Sequence, residues 1–140
     1  GDVYKRQIYG EYSSIDNTFT WINAGHEPII VYREKGEFPE IEVIETEGIS
    51  LGMVGNIKDK VSLQRVSLNR GDRIIFYTDG VIEARNVDGA PFGFKKLVEL
   101  LKNVRTYSAV DLMFYLRKQL LQHIHGASLY DDITLVVLGR

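Results

Sequence analysis

Apolar residues recur at alternate positions or in short runs through most of this chain, separated by turn residues, and two segments near its C-terminal end take helical spacing instead. Residues 8–14 read as a strand, Ile15-Asp16-Asn17 as a turn, and Thr18-Phe19-Thr20-Trp21-Ile22-Asn23 as a second, alternating strand, which predicts a hairpin. The loop Ala24-Gly25-His26-Glu27-Pro28 leads into Ile29-Ile30-Val31-Tyr32, and after the turn Glu34-Lys35-Gly36 a short strand covers residues 41–44. Residues 47–56 read as a loop that packs Leu51 and Met53 among glycine and asparagine turn residues. Residues 61–68 are strand-like, Asn69-Arg70-Gly71-Asp72 is a turn, and residues 73–78 form a buried strand. Phe94, Leu97, Val98 and Leu101 then fall at i, i+3, i+4 and i+7, the spacing of one buried helix face. Ser108 with Asp111 makes a variant capping box for a second helix, whose stripe is Ala109, Leu112, Met113, Leu116 and Leu120 and whose stop is Gly126. Residues 133–138 are the last strand.

Composition leaves that picture intact and narrows the chemistry. A chain of 140 residues, 44% hydrophobic and 26% charged, fits one globular domain with a moderate core. A formal charge of −2 without a Lys/Arg-rich run argues against a nucleic-acid partner. Without cysteine, neither a disulfide framework nor a thiolate metal site can form. No apolar segment reaches the roughly 18 residues needed to span a bilayer, and no signal peptide is visible, so a cytoplasmic setting is expected. Gly1-Asp2-Val3-Tyr4-Lys5-Arg6-Gln7 reads unlike the rest of the chain and begins without Met. We expect residues 1–7 to be a non-native leader, which leaves residues 8–140 as a single domain with no internal repeat or linker and gives Asp2 no functional weight.

The candidate chemistry sits in two acidic motifs, Tyr77-Thr78-Asp79-Gly80 and Asp131-Asp132-Ile133-Thr134, each set against an apolar run. If those strands are antiparallel neighbours, the end of one is the start of the other, and both carboxylates reach one edge of the sheet. Glycine after Asp79 lets the backbone turn sharply and leaves its carbonyls open to a ligand. Carboxylates and water, without thiolate, favour Mg²⁺ or Mn²⁺ over zinc. Such a cation can activate water and neutralise a phosphoryl group, so phosphoester hydrolysis is the natural reaction. The same residues also read as a plain Asp-Gly turn and a polar strand entry.

Taken in order, Asn23-Ala24-Gly25-His26-Glu27-Pro28, the turn of residues 69–72, Tyr77-Thr78-Asp79-Gly80-Val81-Ile82-Glu83-Ala84-Arg85, Phe92-Gly93 and Asp131-Asp132-Ile133-Thr134 resemble the sporulation-factor-E-like branch of the metal-dependent (PP2C-type) protein phosphatases. Each motif alone is weak, but their order and spacing hold from residue 8 to the C-terminus. The resemblance implies an α+β fold, an α-β-β-α sandwich of antiparallel sheets, with a two-metal Mn²⁺ or Mg²⁺ site at one end. It implies hydrolysis of protein phosphoserine or phosphothreonine, on substrates of the anti-sigma-factor antagonist type. Asp79, with Gly80, matches the family's metal-binding aspartate-glycine motif, and Asp131 matches the aspartate that opens its last strand. Asp132 takes the neighbouring place, to orient ligands and water or to stand as a solvated acid. His26 falls in a loop near the family's active site, where it shapes the turn with Asn23 and Gly25 or transfers a proton. Glu83, four residues after Asp79, shares its face if the chain is helical there, or else is a solvated or capping residue.

One departure stands out. The family's domain begins with a Gly-Asp-Val-Ser-Gly-type motif, whose aspartate bridges the metals, and a long helix follows it. Gly1-Asp2-Val3 copies three letters without the later glycine or the helix, so this chain is expected to be a C-terminal portion, truncated at its N-terminus, with an incomplete site and weakened cation affinity. Uncovered sheet edges predict poor solubility or self-association. Two functions are open on these grounds: a phosphatase that is active in the intact protein, or a non-catalytic, protein-binding remnant of the same fold.

Overall fold

The computed structural model describes residues 6–45, 63–105, 108–128 and 131–140. Their elements, in chain order, are β1 (Gln7–Ser13), β2 (Thr18–Ala24), β3 (Ile29–Arg33), β4 (Glu40–Ile44), β5 (Leu63–Ser67), β6 (Arg73–Tyr77), α1 (Asp79–Glu83), α2 (Phe94–Lys102), α3 (Ala109–Ile124) and β7 (Leu135–Gly139). This is an α+β chain whose assigned strand pairs are antiparallel. The loop expected at 47–56 and the first two residues of the strand expected at 61–68 lie outside the described residues. The chain divides into two compact units, with boundaries after residues 28, 43 and 69.

The first unit holds a three-stranded sheet in the order β1-β2-β5. Its hairpin closes with Ser13 opposite Thr18, and Asn17 takes the left-handed conformation (φ 57°) that asparagine tolerates in turns. Alternation in β2 buries Phe19, Trp21 and Asn23 on one face. The Phe19 and Trp21 rings stack with centroids 5.6 Å apart. Gly10 makes room for them, because a Cβ there would stand 2.3 Å from the Phe19 ring.

The second unit carries the sheet β4-β3-β6-β7 and all three helices. Ile30, Tyr32, Ile75 and Tyr77 share one face of that sheet, and Leu97 and Leu101 of α2 pack there with Leu112, Leu116 and Leu120 of α3. Ile29, Val31 and Ile74, which point the other way, are buried too, so β3 and β6 read as apolar runs and not as alternations. Helix α3 starts, and both helices stop, on local signals. Ser108 Oγ accepts from the Asp111 N–H at 3.1 Å, and Asn103 Nδ2 donates to the Glu99 carbonyl at 2.9 Å. Helix α3 ends at Ile124 with Gly126 at φ 78°, as the stop signal requires. Asp72 turns out to be buried: it accepts from Arg33 Nη1 at 2.9 Å and from the Glu34 N–H at 3.2 Å, which pins the end of β3 to the start of β6.

Tyr32 ties sheet to helix, its hydroxyl donating to the Val104 carbonyl at 2.6 Å in a buried setting. Burial pushes this phenol above its ordinary range against the opposing pull of Arg73. A raised folded-state pKa favours the neutral phenol, so its contribution is complete below the unfolded tyrosine value of about 10 and is lost as pH rises past it. Tyr32→Phe is expected to cost about 1–3 kcal/mol, since it strands a buried carbonyl. Urea melts should show that loss at neutral pH and a flatter decline of stability on the alkaline side.

Candidate metal centre

Two backbone segments are clamped together at one end of the four-stranded sheet. The β6/β7 ladder ends with Tyr77 opposite Leu135, and one residue further Thr78 carries the pairing on. The Thr78 N–H donates to the Thr134 carbonyl at 3.1 Å, and the Thr134 N–H donates to Thr78 Oγ1 at 3.1 Å. Thr78 is extended (φ −93°, ψ 163°), and beyond it the chain coils at once into α1, with the Val81 N–H donating to the Thr78 carbonyl at 3.0 Å. Its hydroxyl thus holds β7 and makes no side-chain cap for its own helix.

Gly80 shows how close the two segments come. A Cβ on Gly80 would stand 2.0 Å from the Asp132 carbonyl oxygen, nearer than any real Cβ approaches a neighbour. The glycine is required by this backbone approach. The Asp131 carboxylate accepts from the Asp132 N–H at 2.8 Å, which orients it. The structure therefore brings Asp79-Gly80 and Asp131-Asp132 to one edge. A cavity of about 520 Å³ opens there, and its described lining includes Gly80, Glu83, Arg85, Ser128 and Asp131 but neither Asp79 nor Asp132. Glu83 closes α1 four residues after Asp79, the spacing of one helix face.

His26 belongs to the other unit. There the Asn23 side chain spans the loop, its Oδ1 accepting from the His26 N–H at 2.7 Å and its Nδ2 donating to the His26 carbonyl at 3.2 Å. Gly25 takes φ 73° within it, and the His26 ring lies 3.1 Å from the Glu27 carbonyl through Nδ1. Asp2 lies outside the described residues.

The donors fit a hard cation in kind. They are carboxylates at a strand edge where Gly80 lets the backbone of Asp132 come close, with no thiolate anywhere in the chain. Mg²⁺ is commonly held by one or two carboxylates, with water and substrate phosphate completing six positions. Among the described residues no group of three or more His, Asp or Glu side chains is gathered around one point, so they do not present a full two-metal set. Strand-end spacing assigns no role to Thr78 and Thr134, although both stand inside the quoted motifs and together form the clamp. Arg85 closes the quoted motif of residues 77–85 without a role of its own, Ser128 carries no local signal of a site, and the folded cavity brings both beside Asp131.

A protein-family model described as stage II sporulation protein E (SpoIIE) matches residues 2–140. Protein IcfG of Synechocystis is 29% identical over 139 residues, covering 99% of this chain and 21% of that protein. Phosphoserine phosphatase RsbU of Bacillus subtilis is 31% identical over 141 residues, covering 99% of this chain and 39% of that protein. The chain thus spans well under half the length of either relative. Among solved structures, the phosphatase domain of SpoIIE from Bacillus subtilis shares the fold with a TM-score of 0.70 at 16% identity, over 99% of this chain and 57% of that one.

Proposed function

Because this chain belongs to the SpoIIE family, we propose that it forms the Asp79/Asp131 end of a PP2C-type, metal-dependent protein serine/threonine phosphatase. Asp79, Gly80 and Asp131 would hold Mn²⁺ or Mg²⁺, which when bound neutralises phosphoryl oxygens and lowers the pKa of water. The remaining work belongs to the chain. The Thr78–Thr134 clamp keeps the two aspartates at one edge, and the Asp132 N–H orients the Asp131 carboxylate. Glu83, on the cavity wall, and Asp132 orient ligands and water. Water then attacks phosphorus, the P–O bond to the seryl or threonyl oxygen breaks, and that oxygen takes up a proton.

The observation that carries this reading is the approach of Gly80 to the Asp132 carbonyl, which a simple turn and a separate strand entry would not require. The relative named a phosphoserine phosphatase supports the substrate class. We extend this to phosphorylated regulators of the anti-sigma-factor antagonist type, met in the cytoplasm. No described helix is long and apolar enough to cross a membrane.

Phosphate release from a phosphoserine peptide tests the reading. The intact protein is expected to release phosphate with Mn²⁺ and to stop when the cation is chelated. The 140 residues alone are expected to be slow, with two carboxylates where the reaction wants more. Failure of the intact, Mn²⁺-saturated protein to release phosphate would leave the protein-binding remnant as the function. Rapid turnover by the 140 residues alone would show that the pair of aspartates suffices.

A further inference from the structure

Arg85 borders two cavities. The first is the cavity of about 520 Å³ that holds Gly80 and Asp131 on its wall, and the second, of about 310 Å³, is bounded by the turn around Gly89 and the end of α3 at Gly126. Arg85 and Ser128 line both. Among the described residues the Arg85 side chain is exposed and has no hydrogen-bond or ion-pair partner, even though Glu83 lines the same wall. No acidic side chain is among the described lining of the second cavity.

The backbone under Arg85 is held firmly. The Phe92 N–H donates to the Ala84 carbonyl at 2.7 Å and the Gly93 N–H to the Ile82 carbonyl at 2.9 Å, so residues 82–93 fold back on themselves with Arg85 bridged to Pro91. Asn86 Oδ1 closes the turn by accepting from the Asp88 and Ala90 N–H groups at 3.0 and 2.9 Å. A guanidinium carried on a fixed backbone and left without an internal partner is prepared for an external anion, and its planar fork suits a carboxylate.

We propose that the two cavities form one peptide groove and that Arg85 selects an acidic side chain flanking the phosphoserine. The proposal rests on the phosphatase reading for the position of the phosphoserine, at the Asp131 edge. A cavity of this volume is on the order of 10 Å across, about three residues of extended peptide. The side chain that meets Arg85 therefore lies two or three positions from the phosphoserine, and the chain continues over Ser128 into the second cavity.

Fluorescein-labelled peptides carrying a non-hydrolysable phosphonate in place of phosphoserine provide the test. They bear Glu, Ala or Lys two and three positions away on either side, and are titrated into the intact Mn²⁺-loaded protein by fluorescence anisotropy. Glu-flanked peptides are expected to bind about tenfold tighter than Lys-flanked ones. Arg85→Ala should level that preference, Arg85→Glu should reverse it, and Arg85→Lys should keep part of it. Arg85→Ala and Arg85→Lys should lower hydrolysis of p-nitrophenyl phosphate, which has no flanking residue, by less than they lower binding of the Glu-flanked peptides. A Glu preference that survives Arg85→Glu overturns the proposal, as does a loss of p-nitrophenyl phosphate turnover equal to the loss of peptide binding. Selective binding without hydrolysis of any ester would keep the groove and remove the phosphatase reading, whereas hydrolysis without selectivity would do the reverse.

Discussion

Asp79→Asn in the intact protein is expected to lower Mn²⁺-dependent phosphoserine hydrolysis by about 10²–10³-fold, because a bound cation supplies several kcal/mol to the transition state. Asparagine keeps the size of the side chain and a carbonyl oxygen, but it removes the negative charge that attracts a dication. Asp79 is the acidic residue in the first turn of α1. Its replacement should therefore also forfeit a little helix stabilisation, at most about 1 kcal/mol for so short a helix. The two effects separate cleanly. Urea melts should move little, Mn²⁺ affinity by calorimetry should fall, and raised Mn²⁺ should restore part of the rate. An Asp79→Asn protein with unchanged rate and unchanged Mn²⁺ affinity would show that Asp79-Gly80 is a turn and no more. Asp131→Asn should behave alike on Mn²⁺, with its hydrogen bond from the Asp132 N–H retained through the amide oxygen.

Much of the fold that frames this edge can be read from spacing. The β1/β2 hairpin, both long helices and the Ser108 cap arise from periods and cap residues that act over a few positions. Alternation in β2 identifies its buried face because one side is apolar and the other polar. The last strand begins two residues later than its apolar run: the regular ladder starts at Leu135, and Thr134 before it is held by Thr78.

Features that depend on long-range geometry are not legible in this way. Asp72 reads as a turn residue from its neighbours, yet Arg33, 39 positions away, makes it a buried ion-pair partner. Asp79-Gly80 reads as a turn, and the chain forms a short α-helix there, since β6 is already paired on both sides by β3 and β7 and takes no hairpin partner. Arg85 ends the motif of residues 77–85, which assigns it no neighbour in space. Its environment comes from Ser128, supplied by the end of α3 more than forty positions on. Neighbours brought to one sheet edge by adjacent strand ends are therefore legible in spacing, and neighbours brought in by a distant segment such as the one that ends at Ser128 are not.

Gly80→Ala tests the closeness of the two acidic segments directly. On helix propensity alone, alanine within α1 should be favoured by about 1 kcal/mol. Sterics decide otherwise. The new Cβ would lie 2.0 Å from the Asp132 carbonyl oxygen and 3.0 Å from its carbon, and both are backbone atoms that cannot rotate away. Relief requires the start of α1 and residues 131–133 to separate, which pulls on the Thr78–Thr134 hydrogen bonds and on the close approach of Gly80 to Asp132. We expect a stability loss of about 1–3 kcal/mol, the usual cost of overpacking. Because a misplacement of about 1 Å can cost 10²-fold, phosphatase activity of the intact protein should fall by about that factor. Gly89→Ala is the matched control. Nothing lies within 4 Å of its Cβ, and its φ of 81° makes alanine strained there for a purely local reason. That variant should lose about 1–2 kcal/mol of stability with its Mn²⁺ affinity intact. If Gly80→Ala matches the parent in urea melts, Mn²⁺ affinity and rate, the two segments do not meet as described, and the metal centre loses its geometric basis.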